Sequence, residues 1–144
     1  MIRHAGLIAA RLGGDWRGVL IEGPSGSGKS DLALRALDLG FALVADDRVE
    51  LWVSDGRLFG AAPAPLAGLI EARGLDILRL PALPLAEVAL VVRCGDAERL
   101  PEPQTVAILG VEAPQVTIQP REASAAAKLS RAVARFDRGP NRRM

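Results

Sequence analysis

The sequence predicts an α/β fold with a mixed sheet, and three observations carry the prediction. A short aliphatic run at residues 18–21 passes directly into glycines and serines and then into a helical pattern. A second aliphatic run, at residues 41–45, ends on a pair of acids, and several short β-forming runs come later in the chain. Strand and helix signals that alternate at the start and give way to strands favour a sheet that is mixed rather than purely parallel.

Taken in order, residues 18–21 read as a buried strand entering a tight loop. Over residues 30–39, Leu32, Ala33, Ala36 and Leu37 recur at helical spacing, and Gly40 supplies the stop. Residues 41–45 form the next strand, closed by Asp46 and Asp47, and residues 49–53 another before a turn at 54–56. The section 61–84 holds Pro63, Pro65, Pro81 and Pro84 around residues 69–80, a mixture that argues for loops with one ordered segment between them. Residues 88–92 are strongly β-forming, and 106–109 and 116–118 are shorter strand candidates. Residues 124–136 read as an alanine-rich terminal helix, and no internal repeat is visible.

A length of 144 residues fits one domain, expected at 1–136, with a flexible soluble tail at 137–144 around Arg138, Arg142 and Arg143. Hydrophobic residues make up 49% of the chain but aromatics only 3%, so the core is expected to be aliphatic. A formal net charge of +1 leaves no global field to attract nucleic acid or anionic lipid, and neither is expected as a partner. Cys94 is the only cysteine, which excludes an intrachain disulfide or a cysteine-rich zinc site and favours a reducing, cytoplasmic setting. Arg3, Arg11, Asp15 and Arg17 interrupt the N-terminal region well short of the roughly 18 apolar residues a membrane span needs, and no signal peptide is expected.

Gly23-Pro24-Ser25-Gly26-Ser27-Gly28-Lys29-Ser30 fits the pattern G-x-x-x-x-G-K-[ST], between an expected strand and an expected helix. Gly26 and Gly28 allow successive backbone N–H groups to turn inward, forming an anion nest at the positive end of the helix. Lys29 is then expected to reach the β and γ phosphates of a nucleotide, and the Ser30 hydroxyl to sit on the magnesium that bridges them. A phosphate loop alone does not separate a nucleotide hydrolase, a kinase and a mechanical switch, so the remaining acids decide the reaction class.

Asp46 and Asp47 end a hydrophobic strand soon after the loop-bearing helix, and a parallel neighbour of the first strand would bring both to the edge where Lys29 lies. Adjacent strand residues face opposite sides, so one acid is expected to face the γ-phosphate as a base and the other to serve as scaffold, unless the chain is already turning. A solvated pair capping a turn is the competing account. Glu71 stands in an aliphatic context as a second magnesium ligand or as a surface partner of Arg73. His4, the only histidine, reads on its own as incidental rather than catalytic.

With these residues assembled, the chain resembles the catalytic domain of HPr kinase/phosphorylase from His4 to about Ala132. The resemblance rests on His4 with Gly6, the loop Gly23 to Ser30 followed by Asp31, the stretch Leu43-Val44-Ala45-Asp46-Asp47-Arg48-Val49, and Ile70-Glu71-Ala72-Arg73-Gly74-Leu75. It implies a P-loop-containing α/β domain similar to phosphoenolpyruvate carboxykinase, in a short form without the family's N-terminal domain. Asp47 falls on the family's proton-exchanging aspartate with Asp46 as its support. His4 and Lys29 fall among active-site residues, Ser30 and Glu71 on magnesium, and Arg99 on the catalytic arginine.

ATP with magnesium as donor, a serine of HPr or an HPr-like phosphocarrier as acceptor, and a homo-oligomer like the family's hexamers are implied in the same way. Gln119-Pro120-Arg121-Glu122-Ala123-Ser124 stands where the family carries a Gly-Arg-Asn loop linked to dephosphorylation. Reverse phosphorolysis is therefore expected to be weak or lost. A small-molecule kinase or hydrolase of the same loop class, and a non-catalytic nucleotide-binding regulator, are the other functions the residues permit.

Overall fold

The computed structural model describes residues 1–136. The tail expected at 137–144 lies outside the described residues. Among the described residues, eleven strands, two α-helices and one 3-10 turn at Ala64–Leu66 follow one another. The strands are β1 (Ile2–Arg3), β2 (Ala5–Leu12), β3 (Asp15–Glu22), β4 (Ala42–Ala45), β5 (Val49–Ser54), β6 (Arg57–Ala61), β7 (Leu69–Ala72), β8 (Asp76–Arg79), β9 (Ala86–Cys94), β10 (Gln104–Ile108) and β11 (Val111–Ile118). Helix α1 spans Lys29–Leu37 and α2 spans Ala125–Phe136.

Nine strands form one mixed sheet in the order β1-β5-β6-β9-β3-β2-β4, with β11 also pairing to β9 and β10 to β11. Besides the two-residue β1, two strands escape the sequence reading for a physical reason. Ala5, Gly6, Ala9 and Ala10 give β2 little β-propensity, yet the strand is central and buried over most of its length. Strand β6 is short and contains Gly60, which weakens its signal in the same way. The ordered segment expected within residues 69–80 is a detached hairpin of β7 and β8 turned at Arg73 and Gly74.

One topological expectation needs correction. Strand β4 is not the parallel neighbour of β3, because β2 lies between them and is antiparallel to both. Two antiparallel steps restore the direction, so β3 and β4 still end at the same edge: Glu22 pairs with Ala5, and Ala45 with Leu7. Strand β2 starts at that edge, which brings in His4. Strand β9 runs parallel to β3, and β11 parallel to β9, so Cys94 and the segment after Ile118 arrive there too. Ligand sites of α/β sheets form at such edges, beyond the carboxyl ends of the strands.

The sheet is buried on both faces. Val19, Ile21, Leu90 and Val92 meet Leu32 and Ala36 of α1 and Leu129 and Val133 of α2. Leu7, Leu20, Val44 and Val91 form a second cluster with Val49, Leu51, Leu58 and Ile108, where the sheet curls over itself. Val88 and Leu90 are two residues apart, yet they belong to opposite clusters. A register slip opposite Gly18 and Val19 accounts for this, since one extra residue in β9 moves the following side chains to the other face. At the slip the backbones are so close that a Cβ on Gly18 would lie 2.4 Å from the Glu87 carbonyl oxygen.

Leu90 is fully buried at the centre of this arrangement. Leu90→Ala is expected to cost about 2–5 kcal/mol, the transfer free energy plus the cavity left behind, with urea unfolding as the measurement.

Candidate functional site

Strand β3 is the base of the site: its aliphatic residues bury on both faces and end at Glu22, where the chain must turn. Gly26 (φ 80°) and Gly28 (φ 102°) take left-handed conformations in that turn, and the Ser27 N–H donates to the Pro24 carbonyl at 3.0 Å. Gly28 is the N-cap of α1 and offers no side-chain cap, so the helix's first N–H groups face outward as anion donors. A Cβ at Gly28 would lie 2.8 Å from the Pro120 Cβ. Gly28→Ala is therefore expected to cost about 1–3 kcal/mol through left-handed strain and crowding, seen as a lowered unfolding midpoint.

Lys29 is only 8% exposed, and its Nζ donates to the carbonyls of Gly23 at 2.8 Å and Pro24 at 3.1 Å. The ammonium is thus held against the loop. Beneath it, burial raises the Cys94 thiol above its usual range, opposed in part by contact with the Ser27 hydroxyl and by the charge of Lys29. That contact lies outside hydrogen-bond geometry, since Ser27 Oγ is buried and finds no partner that meets it.

Asp46 and Asp47 follow the end of β4, and the chain is already turning, with Asp47 at φ 71°. The two acids consequently do different things. Asp46 is 7% exposed and accepts the Ser30 hydroxyl at 2.8 Å on Oδ1 and 3.0 Å on Oδ2. Its Oδ2 also accepts the backbone N–H of Glu71 at 3.1 Å, so one carboxylate joins α1, the end of β4 and the hairpin. Asp47 is open to solvent, with Arg48 Nη1 at 3.1 Å from its Oδ2 and His4 Nδ1 at 3.4 Å from its Oδ1. Arg48 also contacts His4 Nδ1, and as a guanidinium it can only donate there.

These groups share one cleft of about 670 Å³, a size typical of small-molecule sites. His4, Lys29, Ser30, Asp47 and Glu71 all line it, together with Ser25, Gly26, Ser27 and Gly28 of the loop. Arg99 does not: it lies exposed in the segment after β9, away from the cleft lining. The arginines in the wall are Arg73 at the hairpin tip and Arg121 after β11. The sequence contains both, but only the topology brings them to this edge.

Ser30 and Asp46 present a hydroxyl and a carboxylate at one point, the kind of oxygen pair magnesium takes beside nucleotide phosphates. Asp46 thus stands beside Ser30, and Glu71, expected as the second magnesium ligand, lines the same cleft from the hairpin. Among the described residues no three His, Cys, Asp or Glu side chains gather into a metal site of their own. A metal held here would take the rest of its oxygens from phosphate and water.

A strand, an amide cradle on a helix N-terminus and an aspartate pair at the same sheet edge define a P-loop α/β domain. Comparison with known proteins narrows the class. Residues 15–83 match the family model of the HPr Serine kinase C-terminal domain. HPr kinase/phosphorylase of Clostridium tetani is 46% identical over 66 residues, covering 46% of this chain and 22% of that protein. The corresponding protein of an Acidovorax species is 39% identical over 119 residues, 71% of this chain and 37% of its relative. The chain thus spans about a fifth to about two-fifths of the length of these relatives.

The solved Hpr(Ser) kinase/phosphatase from Coxiella burnetii superposes with a TM-score of 0.77 at 26% identity, covering 94% of this chain and 88% of that one. In sequence and in fold the chain is similar to the C-terminal domain of HPr serine kinases. Among the described residues, no helix is long and apolar enough to cross a membrane.

Proposed function

We propose that residues 1–136 form one P-loop kinase domain that transfers the γ-phosphoryl group of ATP to a serine of HPr or an HPr-like phosphocarrier, in the cytoplasm. The observation that carries the proposal is that the Lys29 cradle and the Asp47 carboxylate open into the same cleft. An incoming alcohol can reach both from solvent, since more than half of the Asp47 side chain is exposed.

In this reading the loop amides and Lys29 hold the polyphosphate, and Asp47 accepts the serine hydroxyl proton as its oxygen bonds to the γ-phosphorus. The bond from that phosphorus to the bridging oxygen breaks, and ADP leaves with the electron pair. Arg48 keeps the Asp47 carboxylate aimed into the cleft and donates to His4 Nδ1 from the same nitrogen. Magnesium, held by Ser30 with Asp46 or Glu71, would neutralise charge on the phosphates. Gln119 to Glu122, in place of a Gly-Arg-Asn turn, supports weak or absent reverse phosphorolysis. A homo-oligomer belongs to the same proposal by relationship.

Incubation with γ-labelled ATP, magnesium and a panel of purified HPr-type carriers tests it. Label on a carrier serine is the expected result. Magnesium-dependent ATP consumption that no carrier stimulates would replace the reading with another P-loop activity.

A further inference from the structure

Arg121 enters the cleft wall from the segment after β11, and three nitrogens of one arginine on α1 grip that segment and its neighbour in the helix. We infer that Arg35 is a positioning residue of this site: it fixes the segment that carries Arg121 and so sets the cationic wall that meets the phosphates. The inference rests on the reading of the cleft as a nucleotide polyphosphate site.

Arg35 uses its whole fork. Its Nε donates to Asp31 Oδ2 at 3.1 Å, one helical turn back and immediately after Ser30. Its Nη1 donates to the Glu122 carbonyl at 3.2 Å, and its Nη2 to the Pro120 carbonyl. The two carbonyls flank Arg121, so the planar guanidinium fixes the chain on both sides of it. Asp31 holds the plane of that guanidinium and itself lines the cleft.

The other contacts of the segment point the same way. Lys128 of α2 pairs with Glu122 at 2.9 Å, and Gln119 bridges Asp96 at 2.9 Å and the Arg121 N–H at 3.3 Å. Pro120 rests on Gly28, the last residue of the cradle. Every neighbour of Arg121 is therefore anchored. Among the described residues, Arg121 pairs with no carboxylate, and it lines the cleft with Lys29. A fixed backbone beneath an uncompensated cation is the arrangement that preorganises an anion contact.

A double-mutant cycle on the full chain tests the inference, with magnesium-ATP titrated calorimetrically and the thermal midpoint of each variant recorded. Arg121→Met is expected to weaken ATP binding about tenfold. Arg35→Met is expected to weaken it about three- to tenfold in the parent chain and less than about twofold once Arg121 is Met. Arg35→Lys, which keeps the charge but not the fork, should show a smaller loss with the same dependence on Arg121, and it carries the cycle where the methionine variant unfolds.

Losses that are the same in both backgrounds, or a lowered midpoint with unchanged affinity, overturn the inference and leave Arg35 a structural staple. Lys29→Met separates this from the parent reading. ATP binding that ignores Lys29 overturns the cleft assignment and the inference together, whereas Lys29-dependent binding with additive arginine effects overturns the inference alone.

Discussion

Asp47→Asn is expected to slow serine phosphorylation by about 100- to 10,000-fold while leaving ATP affinity within about twofold, the range a positioned general base supplies. The amide keeps the shape of the side chain and an oxygen for the Arg48 guanidinium, but it cannot take up the hydroxyl proton. Asparagine is also the substitution that best spares the fold, because residue 47 sits at φ 71°, a conformation asparagine tolerates and alanine does not favour. Single-turnover transfer from labelled ATP, with calorimetric titration of the same sample, separates the two quantities. Transfer at the parent rate would remove Asp47 from the chemistry. Equal losses of rate and affinity would instead show that the variant had disturbed the cradle.

The division between what could be read in the sequence and what could not follows the range of the interactions. Gly23 to Ser30 is a local device: its glycines, lysine and serine act within one turn, so the motif and its flanking strand and helix are visible together. The paired acids were legible as a strand end. Their separate tasks depend on the break after Ala45, which leaves Asp46 folded inward onto Ser30 and the Glu71 amide and Asp47 facing outward. Glu71 stands out in the sequence for its aliphatic context, whereas the contact of Ser30 with Asp46, 16 positions away, leaves no local sign.

The wall opposite the cradle shows the reverse situation. His4 and Arg121 are far apart in sequence and line one cleft because β2 starts, and β11 ends, at the edge where β3 ends, while Arg73 arrives on the separate hairpin. Nothing in local composition separates Arg121 from Arg99, which is exposed and outside the cleft lining. Strand β2 itself was hidden by its small residues, although it decides the topology: inserted between β3 and β4, it brings His4 beside Asp47. Long-range pairing of this kind leaves no periodic trace.

Lys29→Met is expected to weaken magnesium-ATP binding by about 100-fold or more. A hydrogen bond to a charged group contributes about 1.5–3 kcal/mol, and in the proposed function the ammonium serves two phosphate groups at once. Methionine matches the aliphatic stem, so packing in the loop is largely retained. The lost bonds to the Gly23 and Pro24 carbonyls are expected to lower stability by about 1–2 kcal/mol, which urea unfolding would register separately from the binding loss. A binding constant within about threefold of the parent value would mean that the amide cradle does not hold the polyphosphate in the way the motif requires. Lys29→Arg is expected to fail as well, because its charge is preserved but its planar fork is too large to lie 8% exposed between two loop carbonyls. If arginine restored affinity, positive charge alone would account for binding, and the shape of the cradle would have no part in it.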